Sequence, residues 1–337
     1  MKKILIFKPL ISVGGAEVAM LNLVKFLKGY EIYVGYSDFE SQNPMIEEFS
    51  EYVKVNHISN LLDFEFDFLI LATTHYHTIP EFRNLKYKYK YLWFHYFSDL
   101  NKSVFTNLDE LNNLDGIISV SNATTRKIIN IFPFLEEKII TIYNLIDCNR
   151  VLHDSTVPIE LELSNELNLV TTARISVEKG FYRMAMLAKF LKKANINFKW
   201  FIIGDADDEK AQHLKSLFDE YKDNFIWIGF IDNPHNIVKQ CDYSVLLCDE
   251  ETWGLVLTEA MIVGVPCIST DFEAAYEQIE NRKNGIILSR YRLDCYEDEI
   301  DEIVSNKNKY KEAVTNYKYD NDKILNQWYI FLNQKED

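Results

Sequence analysis

The sequence predicts an α/β protein of two facing, doubly wound, Rossmann-like domains. Three observations predict it. Short β-branched or aromatic runs alternate with longer segments of helical period, the pattern of parallel sheets covered by helices. The alternation stops near 148–166, in "CNRVLHDSTVPIELELSN", which lacks periodicity and carries turn-forming residues, and restarts at "LNLVTTAR". With 337 residues, 47% hydrophobic and 14% aromatic, the chain is long enough to bury two cores.

In the first half, "KILIF" reads as the opening strand. The segment "AEVAMLNLVKFLKG" reads as a helix with an apolar stripe of Val18, Leu21, Val24 and Leu27, closed by Gly29. The runs "IYVGY", "VKVNHI", "FDFLILAT", "YKYLWFH" and "GIISVS" read as further strands, and a capped helix after Ser121 leads to "KIITIYN" as the last. In the second half the strands are "LNLVTTAR", "FKWFIIG", "FIWIGF", "YSVLLC" and "VPCIST", separated by helices over 181–193, 209–221, 234–240 and 255–263. The tail "DNDKILNQWYIFLNQ" places Ile324, Leu325, Trp328, Tyr329 and Leu332 on one helical face that must pack against something.

Composition excludes several classes of function. The N-terminal apolar run is broken by Lys8 and Pro9, so it reads as a strand rather than a signal peptide, and no run approaches the ~18 apolar residues of a membrane span. Five cysteines (Cys148, Cys241, Cys248, Cys267, Cys295) without a C-x-x-C pair suit reduced thiols and a cytoplasmic protein better than disulfides or zinc. A net charge of −15 disfavours nucleic acid as a partner. Residues 1–150 are nearer balance, with 15 basic against 18 acidic side chains. There "KYKYKYLW" (Lys86, Lys88, Lys90) is either a solvated edge segment or a local patch that touches the inner face of an anionic membrane.

Ligands of doubly wound sheets bind beyond the C-terminal ends of the strands, so the chemistry is sought in those loops. Neither half has G-x-G-x-x-G after its first strand, and there is no G-x-x-x-x-G-K-[ST]. The turn "SVGGAEVAM" offers Gly14 and Gly15 before a helix, either as backbone geometry alone or as an approach to an anion. "TTARISVEKGF" places Arg174 and Lys179 in the loop after the first strand of the second half. Such a pair of cations lowers the barrier for a departing nucleotide diphosphate, or is simply solvated. "CDEETWGLVLTEAMIVG" sets Glu251 in a loop and Glu259 about one turn inside the helix that follows, with N–H groups near Gly254, Leu255 and Val256 open to a diphosphate. His95, at the end of an aromatic strand, reads alone as a hydrogen-bonded core histidine. The pair His75 and His77 lacks a third ligand, and Asp205 with Asp207 reads equally as a D-x-D metal site or an acidic solvated turn, so no metal is assigned.

The segments "TTARISVEKGF", "FIIGDADD", "FIWIGFI", "CDYSVLL", "ETWGLVLTEAMIVGVPCIST" and "EQIENRKNGIIL" occur in the order and spacing of the retaining family 4 glycosyltransferases of GT-B fold, which the second half therefore resembles. Weaker support comes from "GGAE", "LWFH", "SVSNAT" and "IYNLID" in the first half. The resemblance implies that Arg174 and Lys179 contact the donor diphosphate, Glu259 the ribose and Glu251 the donor sugar. It also implies that His95 and the Gly14-Gly15 loop lie near the reacting centre and acceptor. It implies a nucleotide-sugar donor, UDP-linked by preference, no cofactor or metal, a glycan or lipid-linked acceptor, and a role in bacterial surface polysaccharide synthesis. Residues 1–160 would form the acceptor side and 161–315 the donor side, with the helix of 316–337 returning to the first domain. The pattern is departed from at Glu273, Ala274 and Ala275, where glycines are usual before Glu277, at Asn144-Leu145, and at Thr252-Trp253. Two other readings use the same architecture: a catalytically silent subunit that binds a glycan or a partner transferase, and a nucleotide-sugar epimerase.

Overall fold

The computed structural model describes residues 1–38, 44–76, 79–97, 103–205 and 209–333. The chain divides into two units, one of Met1–Ile146 with Asp320–Asp337 and one of Asp147–Tyr319. The first division falls ahead of the boundary near residue 160 that the resemblance implies. Helix α5 (Cys148–Asp154), just after it, is tied to the second unit through Asn233 Nδ2, which donates to the Asp154 carbonyl at 2.8 Å.

The first unit runs β1 (Lys3–Phe7), α1 (Gly15–Phe26), β2 (Glu31–Tyr36), α2 (Pro44–Ser50), β3 (Lys54–His57), β4 (Glu65–Leu71), β5 (Lys86–Phe94), α3 (Leu108–Asn112), β6 (Gly116–Ser119), α4 (Asn122–Ile131) and β7 (Ile139–Thr141). Its strands form one parallel sheet in the order β3-β2-β1-β4-β5-β6-β7. A strand covered on both faces must be apolar throughout, which is why Ile4, Leu5, Ile6 and Phe7 are all fully buried. Helix α4 starts where Ser121 Oγ accepts from the Thr124 N–H, a side-chain cap for an otherwise unpaired donor. Helix α12 (Asn321–Asn333) returns to this sheet. Trp328 meets Trp93 edge-on at 5.2 Å and Phe331 meets Tyr91 at 4.6 Å, contacts worth about 0.5–1.5 kcal/mol each beyond area burial. Asn321 clasps Ile146 through both of that residue's backbone groups.

Strand β5 lies between β4 and β6 and is not an edge. Its lysines do not form one open patch either. Lys90 is buried beside Tyr76 and Glu110, while Lys88 and Lys86 are exposed, Lys88 paired with Asp67 at 2.6 Å and Lys86 without an ion pair among the described residues. The alternation of lysine and tyrosine looks like a solvated strand, but in the middle of a sheet one lysine has to find a partner inside.

The second unit continues with β8 (Leu167–Thr172), α6 (Phe181–Lys193), β9 (Phe198–Ile203), α7 (Glu209–Ser216), β10 (Phe225–Gly229), α8 (His235–Val238), β11 (Tyr243–Leu246), α9 (Leu255–Ile262), β12 (Cys267–Thr270), β13 (Gly285–Leu288), α10 (Ile300–Ser305) and α11 (Lys307–Val314). Its parallel sheet is ordered β10-β9-β8-β11-β12-β13. Strand β13 extends the five strands read from sequence, where "GIIL" was too short to stand out. Both units are doubly wound and Rossmann-like, with the strand order reversing at the first strand: between β1 and β4 in one, between β8 and β11 in the other. Among the described residues no helix is long and apolar enough to cross a membrane, and all five cysteines are free thiols.

Candidate active site

The reversal between β8 and β11 puts the loops after these neighbouring parallel strands side by side, at the place where doubly wound sheets take ligands. The first loop carries Arg174 and Lys179, and the second carries Glu251 and leads into α9. Gly180 joins them. Its φ of +71° is left-handed, and a Cβ there would fall 1.8 Å from the Leu247 carbonyl oxygen, so only glycine lets the loops close on each other. The Asp249 N–H donates to the Glu178 carbonyl at 2.8 Å across the same junction.

Arg183 secures this junction from below. Although it sits on a helix, it is 2% exposed. Its guanidinium donates to the carbonyls of Leu247 (3.1 Å) and Arg290 (3.0 Å) and pairs with Asp249 at 2.5 Å. Arg290 donates back to the Asp249 carbonyl at 2.9 Å, and the Tyr182 hydroxyl donates to the Asp249 carboxylate at 3.1 Å. Sequence reasoning missed Arg183. The only signal available was an arginine among the apolar positions of "FYRMAMLAKF", where a solvated residue is the ordinary expectation.

Lys179 and Glu251 meet directly, ammonium on carboxylate, both largely buried. Burial alone would push the Lys179 ammonium down, but the Glu251 carboxylate holds it above the usual lysine range, so Lys179 stays charged. Arg174 stands exposed in the same loop, close enough for its charge to act on Lys179. Helix α9 begins beside them. Its N-cap, Gly254, has φ +83°, no side chain caps its first turn, and no acidic residue lies in that turn. The N–H groups of Leu255 and Val256 therefore present the positive end of the helix at the strand ends. Buried Gln278 holds this turn, donating to the Trp253 carbonyl at 2.5 Å and accepting from Thr258 Oγ1 at 2.6 Å. Glu259 lies about one turn inside α9 and faces His235, with Oε2 3.5 Å from Nε2. Glu273, in the stretch where glycines were expected, pairs with Arg290 at 3.2 Å, while Ala274 and Ala275 are buried.

Gly14, Gly15 and His95 belong to the first unit and are described within it. Gly14 caps α1 in an extended conformation that any residue adopts. The nearest atom to a Cβ at Gly14 would be Glu17 Oε2, at 3.0 Å. Glu17, 1% exposed, fills this helix start: Oε1 accepts from the Ser12 N–H (3.1 Å) and hydroxyl (2.9 Å) and pairs with Lys8 at 3.1 Å. His95 packs on Trp93 at 4.7 Å. Burial and the Lys8 charge push its imidazole down to about 3, so it is neutral at physiological pH.

Of the acidic pair read as a D-x-D, Asp205 pairs with Lys215 at 3.5 Å and Asp207 lies outside the described residues. His77 also lies outside them, and His75 is exposed. Among the described residues no group of three or more histidines, cysteines and acids is placed to hold a metal.

Residues 157–320, nearly all of the second unit, match the Glycosyl transferases group 1 family. The N-acetyl-alpha-D-glucosaminyl L-malate synthase of Bacillus anthracis is 28% identical over 155 residues, 44% of this chain and 39% of that protein. The poly(ribitol-phosphate) alpha-N-acetylglucosaminyltransferase of Staphylococcus aureus is 25% identical over 236 residues, 67% of this chain and 45% of that one. The chain thus spans less than half the length of either relative. Among solved structures, Anabaena Alr3699/HepE in complex with UDP-glucose superposes with a TM-score of 0.80 at 18% identity, covering 99% of this chain and 100% of that one. The fold is that of the GT-B proteins.

Proposed function

We propose that this chain is a glycosyltransferase that moves a sugar from a UDP-linked donor to a hydroxyl of a glycan or glycolipid precursor of bacterial surface polysaccharide, with retention of configuration and without a metal. The observation that carries the reading is the contact of Lys179 with Glu251 at the β8–β11 reversal, beside the uncapped start of α9. The family match over residues 157–320 and the relatives named above support the reaction class.

In this reading the donor diphosphate takes Lys179 from Glu251, with Arg174 and the N–H groups of Leu255 and Val256 completing its shell. Glu251, released, accepts bonds from hydroxyls of the donor sugar, and Glu259 accepts from the ribose. As the bond from the anomeric carbon to the phosphate oxygen breaks, these cations and dipoles meet the charge that develops on that oxygen. The acceptor hydroxyl bonds to the anomeric carbon on the same face and gives its proton to the leaving phosphate oxygen. The first unit, with His95 and the Gly14-Gly15 loop, is assigned to the acceptor. Neutral His95 suits a hydrogen-bonding role there better than an electrostatic one.

The two glutamates separate by experiment. Glu251→Gln should bind UDP nearly as wild type and lose turnover. Glu259→Gln should weaken UDP about ten- to hundredfold, the value of a lost bond to a charged group. Calorimetry of both folded variants with UDP, and product analysis with a UDP-sugar and a glycan acceptor in EDTA, check the reading. Unaltered UDP affinity in Glu259→Gln, together with undiminished turnover in Glu251→Gln, would remove the site. Turnover abolished by EDTA and restored by manganese would remove metal independence.

A further inference from the structure

His235 opens α8, and its side chain is only 13% exposed. Both ring nitrogens are buried without a hydrogen bond among the described residues. A buried polar atom left without a partner is costly enough that its surroundings call for explanation. The ring sits between two carboxylates: Nε2 is 3.5 Å from Glu259 Oε2, and Nδ1 is 4.0 Å from Asp154 Oδ2. The Asp154 carboxylate is already engaged, with Arg150 at 3.5 Å and His153 at 3.3 Å. Glu259 has no other side-chain bond or ion pair among the described residues, so His235 is its one neighbour of this kind there. The backbone of His235 is held in place. Its backbone N–H donates to Asn233 Oδ1 at 3.1 Å, and Asn233 in turn donates to the Asp154 carbonyl at 2.8 Å, fixing the start of α8 to α5.

We infer that His235 is a positioning residue for Glu259, setting selectivity for the ribose of the donor. Nε2 donates to Oε2 and leaves Oε1 to accept from the ribose hydroxyls. The inference rests on the reading of Glu259 as the ribose carboxylate. A glutamate loses rotamer freedom when it binds, and a fixed donor on one oxygen meets that cost before the ligand arrives. The same logic applies where an outer hydrogen bond orients a histidine on a metal, with the parts exchanged. At 3.5 Å the ring already limits where Oε2 can sit, and the last few tenths of an ångström to hydrogen-bonding distance close when the ribose engages Oε1.

The test is calorimetry with UDP and with 2′,3′-dideoxy-UDP, on wild type, His235→Ala, His235→Gln, Glu259→Gln and the double variant His235→Ala/Glu259→Gln, each checked for wild-type thermal unfolding. Wild type should prefer UDP. His235→Ala should weaken UDP about three- to tenfold, the loss expected when one hydrogen bond stops orienting a ligand group, and leave the dideoxy compound unchanged. His235→Gln, which keeps a side-chain N–H, should recover most of the preference. In the Glu259→Gln background, His235→Ala should have no further effect on UDP. Equal weakening of both nucleotides by His235→Ala, or no change in either, overturns the inference while leaving the ribose reading intact. An unchanged preference in Glu259→Gln overturns the ribose reading and the inference with it.

Discussion

Helix α1 begins at Gly14 with a buried carboxylate, Glu17, inside its first turn. Helix α9 begins at Gly254 with no acidic residue there and no side-chain cap. Both follow a strand-end loop, and in both the sequence shows glycine leading into an apolar helix, the arrangement that suits anion binding. What separates them is the third helical residue: Glu17 in one, buried Leu257 in the other. In α1 the positive end of the helix faces its own side chain, whose charge is met by Lys8. In α9 it faces the loop that carries Lys179 and Glu251. Glycine before a helix therefore marks a possible anion site only when the first turn is free of carboxylate.

The sharpest way to break this contrast is to give α9 what α1 has. Val256→Glu places a carboxylate in the first turn of α9 and should weaken UDP at least about a hundredfold, through repulsion and lost N–H access. UDP affinity within threefold of wild type, measured by calorimetry on the folded variant, would mean that the diphosphate does not use this helix start. The converse change, Glu17→Gln in α1, should leave UDP affinity untouched and lower stability by about 1–3 kcal/mol, because a charged acceptor and the counter-ion of Lys8 are lost. Denaturant unfolding reads the second quantity, and a Glu17→Gln protein that bound UDP poorly would place the nucleotide near α1 after all.

An effect confined to acid pH, and absent at pH 7, concerns His95, on which the Lys8 charge also bears. The His95 imidazole is pushed down to about 3 when folded, against an ordinary 6.5. Between these values the unfolded chain takes up a proton that the folded chain does not. The stability present above about pH 6.5 is therefore lost progressively as pH falls towards 3. His95→Gln should flatten the thermal midpoint against pH within that window, and an unchanged slope would mean that His95 does not titrate as described.

Much of the fold was legible because parallel strands buried on both faces are apolar runs, and such runs are visible whatever they pair with. Helix 181–193 agrees with its expected bounds to the residue because a glycine precedes it and apolar residues recur along one face, with Arg183 the one interruption. What could not be read depends on partners distant in sequence. Arg183 and Lys90 carry the side chains of surface residues, and it is the Asp249 carboxylate with the carbonyls of Leu247 and Arg290, or Tyr76 and Glu110, that make their burial tolerable. The site was legible in part. Lys179 and Glu251 stand out by type and loop position, but a separation of 72 residues hides the fact that they touch. His235 gave no signal, since its relation to Glu259 depends on how α8 and α9 lie within the second unit.

The connectivity of the two units has a consequence for dissecting the molecule. The second unit is a single uninterrupted stretch, Asp147–Tyr319, whereas the first is assembled from both sides of it. The second unit is thus a guest sequence inserted into a host. It can be excised with one cut at each end, and both cuts fall beside the Ile146–Asn321 clasp. The host cannot be shortened to residues 1–146 without stripping Trp328 and Phe331 from Trp93 and Tyr91. A stand-alone version of the host needs a short linker from Ile146 to Asn321 that takes the place of the whole guest.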